Sequence, residues 1–138
     1  MGAIGDPYIT VEQLEARLSR PDDGTFDAIA KAASRAIELF CARQFNRADD
    51  ASPRRFRAAD SARLPVDDFW STDDLEVQVA GDSWDLDHVD PRPWDGVVAG
   101  VPGWPFHDLI ATRRRWPAGR HARVTVTAKW GWESVPDA

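Results

Sequence analysis

The chain has a single cysteine, so no disulfide can form within it. Cys41 falls in a helical apolar pattern and reads as a small buried hydrophobe rather than a nucleophile. No apolar run approaches the ~20 residues that a membrane-spanning helix needs. The opening residues lack the basic, apolar and small-residue regions of a secretory signal. Histidine is scarce. His88, His107 and His121 are not paired at ligand spacing and no cysteine pair accompanies them, so no zinc site is expected. Gly100, Gly103, Gly119 and Gly131 are scattered and fit neither a P-loop nor a dinucleotide fingerprint. A Gly-x-Ser-x-Gly elbow is also missing. With no cofactor, metal or nucleophile motif, the expectation is a protein that is not an enzyme and carries no cofactor.

What is present is enough for a core. At 138 residues and 43% hydrophobic content, the chain reads as one domain over residues 1–138. Its net charge of −6 is unevenly spread: −3 over residues 1–52, −7 over 53–108 and +4 over 109–138. An acidic chain is poorly suited to wrapping nucleic acid, where Lys and Arg must replace counterions. Acidic and basic regions in one small chain suit head-to-tail self-association instead. The aspartates Asp67, Asp68, Asp73, Asp74, Asp85, Asp87, Asp90 and Asp95 fall at strand ends and on polar strand faces. Turns and solvent account for them better than acid–base work.

Along the chain, residues 1–7 read as a loose arm. Thr10 and Gln13 have the spacing of a capping box, with Ile9 placed to staple onto Leu14; Pro21 ends this first helix. Phe26, Ile29, Ala30, Ala33, Ile37, Phe40 and Cys41 keep helical spacing, so a second helix is expected to about Gln44 with these residues as its core face. Beyond Pro53 the period becomes two. Strands are expected at Arg54–Ala58, at Leu75–Val79 hairpinned to Trp84–His88, and at Leu109–Arg113 paired with Val124–Trp130. Residues 90–108, rich in Pro, Gly and Trp, read as a long irregular loop. Val135-Pro136 fits a helix start.

All seven tryptophans lie between residues 70 and 132. A small β-layer has little room for seven indoles, so some are expected to face a partner. Trp94, Trp104 and Trp116 are the candidates. The basic run Arg113-Arg114-Arg115 is expected to meet the acidic middle region of a neighbouring copy, with a DNA contact as the lesser reading.

The closing Val124-Thr-Val-Thr-Ala-Lys-Trp-Gly-Trp-Glu-Ser-Val-Pro-Asp-Ala138 resembles the end of the β-region in head–tail connector (adaptor) proteins of tailed bacteriophages. Tyr8–Leu14 resembles that family's opening helix. Ala32–Glu38 with Cys41-Ala-Arg-Gln-Phe45 resembles its second helix, and Leu64–Phe69 its middle. The resemblance implies a structural virion protein in the neck, between capsid portal and tail. It would form a ring, a dodecamer matching the portal, dock the next neck or tail-completion protein, and let DNA pass without sequence-specific binding. The expected fold is α+β: two N-terminal helices within residues 8–45, then a small antiparallel β-region over 53–132 with the long loop, and a C-terminal helix missing or truncated. Two rivals remain, a carbohydrate-binding module using exposed Trp and a hydrolase with an acidic site.

Overall fold

The computed structural model describes residues 3–119 and 122–136. It corrects the expected balance of the fold. The chain is sheet-dominated, with helices of only 8 and 16 residues, α1 (Val11–Leu18) and α2 (Phe26–Cys41), against one six-stranded antiparallel sheet. The strands are β1 (Ser52–Phe56), β2 (Arg63–Val79), β3 (Asp82–Ser83), β4 (Val89–Arg92), β5 (Phe106–Ala111) and β6 (Val124–Trp130). Their order is β1-β6-β2-β5-β4, with β3 also paired to β2.

β6 shows the alternation read from sequence. Val124, Val126, Ala128 and Trp130 are all buried, while the residues between them are half-buried. Its partners are β1 and β2, not the Leu109–Arg113 segment, which therefore does not form the expected strand pair with it. β5 pairs instead with β2 and β4. β2 is 17 residues long and its register shifts between Phe69 and Ser71 and again between Ser71 and Glu76. Such shifts bend a strand and increase its twist. The first part of β2 pairs with β5 and the later part runs along β6 as far as Val79↔Val124.

The expected loop over 90–108 is overturned at both ends. Val89–Arg92 is a strand, a 3-10 turn covers Trp94–Gly96, and Phe106 opens β5. The Leu75–Trp84 hairpin is shorter than read. Only Asp82 and Ser83 pair back, and the chain then enters a 3-10 turn at Leu86–His88.

The main core joins Leu64, Phe69, Val77, Leu109, Val126 and Trp130 with neighbours from the strands and loops around them, and no residue of α1 or α2 takes part. The strands and the loops around them therefore supply this core without the helices. The helices make a separate layer. Phe26, Ala30 and Ser34 are buried along one line of α2, and α1 has no buried residue. Cys41, expected inside, is exposed. Val135 and Pro136 have no regular structure, and Asp137 and Ala138 lie outside the described residues, as does His121.

Candidate functional site

The helical layer is fastened to the sheet by a short polar and aromatic junction. The opening segment, expected to be loose, is pinned there. The Asp6 carbonyl accepts from Asn46 Nδ2 at 2.7 Å and from Arg35 Nη2 at 3.0 Å. The Tyr8 backbone N–H donates to Ser34 Oγ at 2.9 Å. Its hydroxyl donates to the Glu38 carboxylate and accepts from the Phe45 backbone N–H at 2.9 Å. Burial, then the hydrogen bond to Glu38, push the Tyr8 hydroxyl up to about 12 from its ordinary value of 10.0. Aromatic contacts continue into the sheet: Tyr8 edge-on to Phe45, Phe45 against Trp132 at 5.3 Å, and Trp132 against Trp104 at 5.2 Å.

Between α2 and the sheet lies a groove of about 810 Å³. Its carboxylates are all engaged: Glu38 with Arg35 (2.8 Å), Asp67 with Arg54 (2.8 Å), and Asp68 with Arg43 (3.5 Å). Burial holds the Asp68 carboxyl above the usual carboxylate range, partly offset by the Trp132 indole N–H donating to it at 2.9 Å and by Arg43. His107 Nδ1 lies 2.8 Å from Asp108, which also receives Arg63. An Asp–His pair can activate a nucleophile, but among the described residues that line this groove none carries a hydroxyl or thiol. Among the described residues no group of three or more His, Cys, Asp or Glu could hold a metal.

The tryptophans divide by environment. Trp84 and Trp116 are buried and stacked, with ring centroids 4.6 Å apart and planes 6° from parallel. The Trp116 indole N–H is shared between the Ala62 carbonyl (3.0 Å) and that of Leu109 (3.2 Å). Trp116 is thus a core residue in this chain. Trp104 is half-buried against Trp132, and Trp94 is 56% exposed under the Arg92 guanidinium, 3.8 Å from its centroid. Arg113, Arg114 and Arg115 are exposed on the β5–β6 connection, with Arg114 lying 4.8 Å over Trp84.

Two surface features escaped the sequence reading. The first is the outer half of α2. Ala28, Ile29, Ala32, Ala33, Ala36, Ile37, Leu39 and Phe40 are all exposed, Leu39 by 84% and Phe40 by 92%. At 100° per residue they cover about half the helix circumference. The charged Asp27, Lys31, Arg35 and Glu38 cluster on the other half, where they pair with one another. The expected single core face is therefore split: Phe26 and Ala30 pack, whereas Ile29, Ala33, Ile37, Phe40 and Cys41 do not. An apolar arc this wide was itself the signal, since a one-sided surface helix needs a narrower stripe.

The second feature is a two-residue hairpin at Val98-Ala99-Gly100-Val101. Val98 and Val101 exchange backbone hydrogen bonds of 3.0 and 2.9 Å. Ala99 and Gly100 both take positive φ, 50° and 80°, the sign that tight primed hairpin turns require at their two central residues. Val97, Val98 and Val101 are exposed. β-branched residues flanking Ala-Gly were the available signal.

Compared with protein-family models, with curated proteins and with solved structures, the chain matches none.

Proposed function

We infer that this protein is a structural assembly subunit, a head-to-tail adaptor that forms a closed ring beneath a phage portal. The observation that carries the reading is the outer half of α2. A charge-free apolar face ending in a Phe that is 92% exposed is a large cost for a solitary subunit and suits a permanent contact. The sequence resemblance supplies the place, between portal and tail. The segregation of charge supplies the direction, since a ring needs two different surfaces to meet. The expected dodecamer, the portal and tail-completion partners, and the passage of DNA without sequence-specific binding belong to this same reading. A carbohydrate-binding platform has less support, because Trp94 is the one tryptophan that stands mainly in solvent.

Cryo-electron microscopy of virions containing this chain tests the proposal. Density for the chain as a ring between portal and tail is expected. Density in the capsid lattice or tail tube, or the absence of the chain from purified virions, overturns it.

A further inference from the structure

We propose that the small aromatic pocket beside the Trp94–Gly96 turn is a recognition site for one guanidinium head group, the side chain of an arginine supplied by a protein partner.

The pocket has a volume of about 100 Å³. That is well below the roughly 300–1,000 Å³ of ordinary small-molecule sites, so it has room for a single head group. Trp70, Trp104 and Phe106 wall it, Asp95 and Glu133 supply its charge, and none of the described residues that line it is basic. In the groove beside α2, by contrast, each carboxylate already has an arginine partner. Asp95 and Glu133 have no ion pair among the described residues. Two uncompensated carboxylates beside aromatic walls suit a cation that is flat and weakly hydrated. Guanidinium is such a cation: it stacks on rings and forks onto carboxylates, whereas an ammonium holds its water more strongly. A calcium ion takes about 6–8 oxygen ligands, which rings and two carboxylates do not supply.

The aromatic surface is available and fixed in advance. Arg47 and Lys129 lie over Trp70, 4.7 and 5.6 Å from its centroid, so that indole serves as a wall. No cation of the described chain lies over Trp104 or Phe106. The Trp104 backbone N–H donates to the Gly96 carbonyl at 3.0 Å, which ties the Asp95 turn to the Trp104 wall. Trp104 packs on Trp132 and Phe106 on Phe69, each pair at 5.2 Å, and the Trp70 indole N–H donates to the Ala48 carbonyl at 2.8 Å. Little ordering is left for a ligand to impose.

The arginine has two possible sources. One is a second copy of this chain, whose Arg113 and Arg115 are exposed and in no ion pair among the described residues. The other is a different protein. The site does not depend on the ring reading, which microscopy of virions decides separately.

Nuclear magnetic resonance on the whole chain tests the site. Titration with N-acetyl-arginine amide should shift the Trp104 indole and Gly96 amide signals with a Kd on the order of 1 mM. N-acetyl-citrulline amide, similar in shape and uncharged, should leave them in place. Asp95→Asn and Glu133→Gln each change an exposed side chain, so circular dichroism should stay native, and each should weaken arginine binding about tenfold. Absent shifts, an equal response to citrulline or to calcium chloride at matched ionic strength, or undiminished binding in both variants overturns the proposal. Concentrating the unaltered chain separates the sources. If the same signals move, and stop moving in Arg113→Ala/Arg115→Ala protein, a second copy supplies the arginine. If arginine amide binds while concentration moves nothing, another protein supplies it, and the site stands in both cases.

Discussion

At the scale of single residues, the strictest requirement is at Gly131. Its φ is 99°, and a Cβ there would lie 1.8 Å from the Asn46 carbonyl oxygen and 2.8 Å from Arg47 Cα. Those neighbours are backbone atoms and cannot step aside. Gly131→Ala should cost on the order of 3–5 kcal/mol, measured as a fall in the urea midpoint; a loss below about 1 kcal/mol would mean that the junction yields. Thr10 is a milder case. Its hydroxyl accepts from the Gln13 backbone N–H at 3.1 Å, and the Gln13 side chain accepts from the Thr10 N–H at 2.8 Å, the reciprocal pair that the sequence spacing indicated. Thr10→Ala should cost about 0.5–2 kcal/mol of α1 stability, visible as faster amide exchange in Val11–Leu18. An unchanged exchange pattern would show that the cap contributes nothing. Caps were legible because they are local. Gly131 was read as a kink from its sequence neighbours, but the reason for it lies with Asn46, 85 positions earlier, which no local pattern contains.

At the scale of elements, α2 is held through Tyr8. Its hydroxyl is pushed up to about 12, so the folded protein holds this proton more tightly than the unfolded chain does. The stability that comes from this is fully present below pH 10 and is lost as pH rises through about 12. Tyr8→Phe should be less stable than the parent at neutral pH by about 1 kcal/mol and should lack that alkaline loss. Parallel alkaline melts of both proteins would refute the assignment. Trp94 and Trp104 separate in the same way. Trp94→Ser removes an exposed ring and should leave the thermal midpoint within a degree or two. Trp104→Ser removes the partner of Trp132 and should lower the midpoint clearly; equal midpoints would place both rings outside the packing. Helix positions and the β6 alternation were legible because each element's period is written in its own residues. Which apolar residues of α2 pack was not. A helix destined for a partner copy and a helix destined for its own core carry the same pattern.

At the scale of the whole molecule, the sheet was underestimated because pairing is non-local. Strand β2 shows no clean alternation across its bulges, and short edge strands such as β4, with Pro91 inside it, look like loop. The misassigned pair β5–β6 has the same origin. Neighbours in sequence are the default partners, yet β2 comes between them. The candidate surfaces were legible only as excess. Seven tryptophans and a broad apolar helix stand out in the sequence, but which of these residues are buried depends on the long-range strand pairing.

That strand order also sets a timetable. β6 lies between β1 and β2, and among the described residues it is the last strand in chain order. As the protein emerges from the ribosome, β1 and β2 must wait with open edges until residue 130 is free. Closure then joins Ser52 to Ala128 and Val79 to Val124. Long-range pairing of this kind places folding in the ms–s range. A fragment ending at residue 123 should show no cooperative melt, and adding a peptide of residues 122–136 should restore one. A cooperative transition in the fragment alone would mean that the remaining strands close without their centre. Until β6 arrives, β1 and β2 have no shared partner, so the centre of the sheet depends on the most distant pairings in the fold.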